Sequence, residues 1–188
     1  MKQNRPKLIL ITGGVRSGKS SFAQSLAQKS EGRIAFIATA QALDEEMTER
    51  IAEHRKKRPD NWETYEESCQ VEKVIREIGF MADVIIIDCL NFLVANLMAD
   101  FKDGNRKELL NSKIKEVIAS IIEESLKSRA SIIIVSNEVG SGLVPVNPAG
   151  RFFRDMLGMA NQDIARHADL VYLMVAGIPL LIKGKNDE

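Results

Sequence analysis

The eight residues Gly13-Gly14-Val15-Arg16-Ser17-Gly18-Lys19-Ser20 satisfy G-x-x-x-x-G-K-[ST] at every constrained position. These residue types at this spacing do phosphate chemistry. Glycines let the backbone turn so that successive N–H groups converge on phosphate oxygens, and a following helix N-terminus adds positive potential. Lys19 is expected to reach the β- and γ-phosphates of a nucleoside triphosphate, and the Ser20 hydroxyl to ligate Mg²⁺. A glycine-rich turn with no ligand is the alternative. The strand-like run Leu8-Ile9-Leu10-Ile11-Thr12 before the loop and the helical pattern from Lys19 argue against it. Asp88 closes the apolar run Val84-Ile85-Ile86-Ile87, where a second Mg²⁺-holding group belongs.

The chain has two histidines, His54 and His167. His54 lies in Asp44–Arg58, a segment with acids at its start and Arg55-Lys56-Lys57-Arg58 at its end, which suits a helix dipole, with Pro59 as the stop. Two readings are open. His54 follows the apolar stripe Leu43, Met47 and Ile51 and can be a histidine at the border of that stripe beside a solvated basic end. The chemical alternative is a nucleophile toward an activated phosphate, with the neighbouring cations neutralising charge that develops in transfer. His167, just before a strand in Ala165-Arg166-His167-Ala168-Asp169, is read as structural.

The elements that must hold these groups are legible as an alternation. Strands are predicted at Lys7–Thr12, Arg33–Ala38, Val84–Asp88, Ser131–Ser136, Leu170–Val175 and Ile178–Lys183. Several are apolar without alternation, as in a parallel sheet covered on both faces. Helices are predicted at Ser20–Lys29, Asp44–Arg58, Val71–Ile78, Leu90–Met98, Lys107–Ser128 and Arg151–His167. The pattern predicts a three-layer α/β fold with a mostly parallel sheet. Only Ala176 and Gly177 join the last two strands, so an antiparallel edge hairpin is expected at the C-terminal end.

Bulk properties narrow the partners. The 188 residues read as one domain, residues 1–188. Lys plus Arg and Asp plus Glu number 26 each, so no basic excess marks a nucleic-acid binder. Cys69 and Cys89 lack metal-type spacing and read as reduced thiols, which suits the cytoplasm. The apolar run Leu8–Ile11 is too short for a signal peptide, and Leu170–Ile182 is too short to span a bilayer.

Longer stretches of the chain resemble a known family. Besides Thr12 to Ser20, they are Ile37-Ala38-Thr39-Ala40, Leu43-Asp44-Glu45-Glu46-Met47, Arg50-Ile51 with His54, Arg58-Pro59, Trp62, Thr64 and Glu66. Further on come Asn137-Glu138-Val139-Gly140, Val144-Pro145, Phe153-Arg154-Asp155 and Asn161-Gln162. Together they resemble the bifunctional adenosylcobinamide kinase/adenosylcobinamide-phosphate guanylyltransferase of cobalamin biosynthesis. That resemblance implies two reactions. ATP or GTP phosphorylates adenosylcobinamide, and GTP then gives GMP, through a histidine, to adenosylcobinamide phosphate to form adenosylcobinamide-GDP. The guanylylated histidine falls on His54. GTP contacts are implied from Gly13 to Ser20, from Ala38, Thr39 and Ala40, and from Arg55, Lys56, Lys57 and Arg58, with Glu66 and Asp88. Family members can carry Glu where this chain has Asp88, which keeps the charge and shortens the reach. A RecA-like P-loop fold and a homotrimer are also implied. The rivals are a P-loop kinase with no covalent step, in which His54 is dispensable, and a nucleotide-dependent switch, which binds GTP without consuming it when given cobinamide.

Overall fold

A computed structural model describes residues 5–30, 32–56, 58–99 and 107–185 of the chain. The strands are β1 (Leu8–Gly13), β2 (Ile34–Ala38), β3 (Glu63–Glu66), β4 (Val84–Asp88), β5 (Ser131–Val135), β6 (Leu170–Val175) and β7 (Ile178–Lys183). The helices are α1 (Lys19–Gln28), α2 (Glu45–Lys56), α3 (Val71–Ile78), α4 (Leu90–Ala99), α5 (Lys107–Lys127) and α6 (Pro148–His167). One seven-stranded sheet runs in the order β3-β2-β4-β5-β1-β6-β7. Every pairing is parallel except β6 with β7. The expected mostly parallel sheet with a C-terminal antiparallel hairpin is therefore present, in an arrangement consistent with a P-loop fold.

The two faces explain why the central strands are apolar throughout. Alternate side chains of each strand point to opposite faces. Leu8, Leu10, Ile85, Ile87, Ile132 and Ile134 join a core with α3, α4, α5 and α6. Ile9, Ile11, Phe36, Ile86, Ile133 and Tyr172 join another with Ala23 and Ala27 of α1 and with Trp62. A strand buried on both sides has no polar face to display, so its sequence loses the period of two.

Three local features depart from the sequence reading. β3 was not anticipated. It has only four residues, Glu63-Thr64-Tyr65-Glu66, with an acid at each end, and it forms an edge parallel to β2. The start of α6 lies three residues before the predicted Arg151. Pro148 occupies the first turn, and the Asn147 side chain accepts a 2.6 Å hydrogen bond from the Gly150 N–H. Asn-Pro is a helix-start signature, because proline needs no hydrogen-bond partner there. Third, α2 carries no buried residue, and Leu43 is exposed. Its stripe of Leu43, Met47 and Ile51 is not a core seam.

The parallel topology puts the C-terminal ends of β1, β2, β3, β4 and β5 along one rim. Ligands of open α/β sheets bind there. The residues that follow these strands form the site described next.

Candidate active site

The phosphate loop begins where β1 stops being able to carry side chains. Gly13 pairs with Met174 of β6 and has φ +149°; a Cβ there would lie 2.5 Å from the Met174 carbonyl oxygen. Gly18 caps α1 at φ 93°. Between them Arg16 adopts φ 54°, and Val15 and Arg16 face solvent. The Lys19 ammonium folds back across the loop and donates to the Gly14 carbonyl at 2.6 Å. Lys19 is buried, and burial lowers its pKa below the ordinary lysine value, with Cys89 and Asp88 pulling the other way. The Thr12 and Ser17 hydroxyls are buried without partners at the mouth of the turn. Buried polar atoms of this kind ordinarily find a hydrogen-bond partner, and here they ring a loop shaped for anions.

Two flanking elements hold the loop. The hairpin turn between β6 and β7 donates the Gly177 N–H to the Ser17 carbonyl at 3.0 Å. Ala176 and Gly177 have φ 50° and 83°, both positive, as a two-residue turn matched to strand twist requires. On the other side the Glu138 N–H donates to the Gly13 carbonyl at 2.9 Å. The hairpin is legible in the sequence; the contact of its turn with the phosphate loop is not.

Asp88 is the electrostatic centre of the site. Burial pushes its carboxyl above the usual carboxylate range. The Ser20 hydrogen bond and the charges of His54, Arg58 and Lys19 pull the other way. Groups from the loop, from α2 and from the segment after α2 therefore act electrostatically on the end of β4. No group of three or more His, Cys, Asp or Glu side chains suited to a metal ion occurs among the described residues. A Ser hydroxyl hydrogen-bonded to one carboxylate nevertheless fits Mg²⁺, which is commonly held by one or two protein groups with water and substrate phosphates.

The rim between β2 and β4 is fixed by Thr39. Its buried hydroxyl donates to the Cys89 carbonyl at 2.7 Å and accepts from the Cys89 N–H at 2.8 Å. Its amide donates to the Asp88 carbonyl at 3.2 Å. Asn96, buried on α4, donates its side-chain amide to the carbonyls of Thr39 and Ser68 at 2.8 and 3.0 Å. Thr39 thus locks the backbone beside Asp88, and Ala38 and Ala40 flank it. Asn96 was missed, because a mid-helix asparagine bears no motif.

The basic segment divides into separate roles. His54 is exposed on the last turn of α2 and acts on Asp88. Arg55 forms a 3.5 Å ion pair with Glu66 at the end of β3, joining two of the residues carried over from the family. Lys56 is exposed. Lys57 lies outside the described residues. Arg58 stacks over the Phe36 ring, its guanidinium carbon 3.7 Å from the centroid. Its Nε is buried without a partner, and burial lowers its pKa, opposed by Asp88. The Phe36 shelf was invisible in sequence, since that ring sits 22 residues earlier on a strand.

Two residues of the family-like stretches, Glu138 and Arg154, and the second histidine are occupied by local structure. The Glu138 carboxylate accepts from the Gly140 and Ser141 N–H groups, and Arg154 donates to the Gly140 and Gly142 carbonyls. His167 pairs through Nδ1 with the Asp163 carbonyl at 2.9 Å, as a structural residue would.

This site sits in a chain whose residues 9–182 match the family model described as cobinamide kinase / cobinamide phosphate guanyltransferase. The chain belongs to that family. It is 38% identical over 181 residues to the bifunctional adenosylcobalamin biosynthesis protein CobU of Escherichia coli K12, covering 94% of this chain and 99% of the relative. It is 37% identical to CobU of Salmonella typhimurium over the same coverage. It is 38% identical over 180 residues to the bifunctional adenosylcobalamin biosynthesis protein CobP of Pseudomonas aeruginosa, covering 94% and 97%. The family resemblance drawn from the motifs is therefore borne out. As a cobinamide kinase / cobinamide phosphate guanyltransferase, the protein is a transferase that takes nucleotide substrates. No helix among the described residues is long and apolar enough to cross a membrane.

Proposed function

We propose that this chain, as a single catalytic domain, runs both reactions at one phosphate cradle and passes GMP through His54. The observation that supports this reading is electrostatic: Ser20 hydrogen-bonds the Asp88 carboxyl, and the charges of His54, Arg58 and Lys19 all act on it. A kinase without a covalent step has no use for a histidine at that carboxylate.

In the kinase reaction, ATP or GTP lies with its β- and γ-phosphates in the Gly13–Ser20 turn. The loop N–H groups and Lys19 hold the charge, and the hydroxyl of adenosylcobinamide attacks the γ-phosphorus. Phosphoryl transfer of this type depends mainly on positioning and electrostatic stabilisation. In the transferase reaction, a neutral imidazole nitrogen of His54 attacks the α-phosphorus of GTP. A P–N bond forms, the bond to the bridging oxygen breaks, and pyrophosphate leaves into the same cradle; the ring gives up its proton. A phosphate oxygen of adenosylcobinamide phosphate then attacks the guanylyl phosphorus. The P–N bond breaks as the ring takes a proton back from the acceptor phosphate or water, yielding adenosylcobinamide-GDP and neutral His54.

Ser20 and Asp88 would hold Mg²⁺, which neutralises charge developing on the transferred and departing phosphates. Thr39 keeps the Asp88 backbone in place, with Ala38 and Ala40 lining the nucleotide. Arg58 faces the α-phosphate from its Phe36 shelf. Arg55 and Glu66 close the far side, with Lys56 and Lys57 adding positive potential. The family resemblance adds a homotrimer, and two lone cysteines suit work in the cytoplasm.

The test is a split of activities. His54→Ala should retain cobinamide phosphorylation and lose GMP transfer, whereas Lys19→Ala should lose both. Equal loss of both reactions in His54→Ala, or full activity in Lys19→Ala, would contradict the shared cradle.

A further inference from the structure

The segment joining Glu138 to α6 has an unusual combination of rigidity and apolar display. Leu143 is 97% exposed, Val144 67% and Val146 95%. Single exposed apolar residues are ordinary on protein surfaces, but three within four positions form a patch. Connecting loops are ordinarily mobile, yet this one is held at almost every turn. Arg151 donates to the Pro145 and Val146 carbonyls at 3.0 and 2.5 Å. Arg154 donates to the Gly140 and Gly142 carbonyls at 2.7 and 3.4 Å. Glu138 accepts from the Gly140 N–H at 2.6 Å and from the Ser141 N–H at 3.2 Å. The backbone polar groups are thus satisfied inward while the apolar side chains are presented outward.

The patch is also tied to the chemistry. The segment starts at the Glu138 N–H bonded to the Gly13 carbonyl, so it is anchored on the phosphate loop itself. Of the reactants, the nucleotide meets the loop through its phosphates. The cobinamide acceptor brings a broad ring fringed with methyl groups and amide arms, and the reacting hydroxyl sits at the end of one of those arms. If that hydroxyl reaches the γ-phosphate in the cradle, the ring must rest on a surface immediately beside it.

We infer that Leu143, Val144 and Val146 form a preorganised platform for the corrin ring of the acceptor. The inference rests on reading the Gly13–Ser20 turn as the donor site of a cobinamide kinase. Preorganisation matters here because a loop that had to order on binding would lose affinity to that ordering.

The experiment compares wild type with the double variant L143S/V146S. Both side chains are almost fully exposed, so fold stability should hold. The KM for cobinamide should rise about tenfold or more, from the apolar cover lost at two positions. The KM for GTP should not move. N-acetyl-1-amino-2-propanol, which carries the arm without the ring, should be phosphorylated at equal rates by both proteins. An unchanged KM for cobinamide would overturn the platform, as would an equal loss with the small acceptor. A fall in assembled mass by light scattering would assign the patch to contacts between copies instead, and would also overturn it. Cobinamide binding is read separately by equilibrium dialysis. Wild type that binds cobinamide but never phosphorylates it would sink the kinase reading, while weaker binding by the variant would still support the platform.

Discussion

Gly13→Ala is the sharpest test of how the sheet shapes the phosphate loop. The substitution meets two independent obstacles. Its φ of +149° is a conformation that L side chains rarely adopt, and such strain costs about 1–3 kcal/mol. The new Cβ would also lie 2.5 Å from the Met174 carbonyl oxygen, 2.9 Å from the Ser17 Oγ and 3.1 Å from the Met174 Cβ. The nearest of these atoms is backbone in a paired strand and cannot rotate away, so overpacking adds about 1–3 kcal/mol. Together the loss is about 2–6 kcal/mol, a large share of the stability of an ordinary domain. In urea, with a slope of about 2 kcal/mol per molar, the midpoint should fall by about 1–3 M. Gly14→Ala is the matched control, because a Cβ there meets nothing within 4 Å and its φ lies outside the positive region. Its stability should stay within about 0.5 kcal/mol of wild type, a midpoint shift of about 0.25 M or less. The assay is urea unfolding of the nucleotide-free protein, followed by circular dichroism. Equal midpoints for Gly13→Ala and wild type, or an equal fall for Gly14→Ala, would refute the close approach of β6 to the loop.

Ser20→Ala and Asp88→Asn should each lower both activities by about 10²–10³, the usual cost of removing one charge-stabilising group. Each should also raise the Mg²⁺ concentration that gives half-maximal rate, measured by titration at saturating nucleotide. Arg58→Lys keeps the charge but loses the flat stack on Phe36, and cation–π contacts of this kind contribute about 0.5–2 kcal/mol. GMP transfer should therefore fall about tenfold with the kinase reaction less affected, as steady-state assays of each half would show. The pH dependence of stability should carry a signature of Glu124. The Arg76 hydrogen bond holds its carboxyl below the usual range, against burial and with help from Lys127. A depressed folded pKa means stability that is present above the ordinary carboxylate range and lost as pH falls through the folded value. Glu124→Gln should thus be less stable than wild type near neutrality, and the two should converge in acid, as thermal melts across pH would reveal.

How much of this was legible depended on whether the signal was local. The phosphate loop was readable because each constrained residue answers a local demand, for positive φ at Gly13 and Gly18 or for charge at Lys19. The buried strands were readable because Val84 to Ile87 and Ile132 to Val135 have no polar face to conceal. What escaped was non-local or too short. Glu63 to Glu66 is a strand because β2 offers it an edge, and four residues with acids at both ends show little β signal alone. Phe36 is a shelf only because the chain returns Arg58 to it after α2. Gly177 matters to the site through one N–H bonded to Ser17, a contact across 160 residues. The apolar stripe of Leu43, Met47 and Ile51 does not reveal its own surroundings either: Leu43 lies before α2, and α2 carries no buried residue. His54 stands between two readings in sequence; the structure adds that its charge acts on Asp88, and the choice between the readings belongs to the labelling experiment below.

The central claim is that GMP travels on His54, and incubation with α-labelled GTP and Mg²⁺ in the absence of corrinoid tests it most directly. The account predicts a protein-bound label that is acid-labile and alkali-stable, maps to His54, is missing from His54→Ala, and is released as product when cobinamide phosphate is added. Wild-type protein that transfers GMP to cobinamide phosphate yet never carries the label on His54 would contradict it.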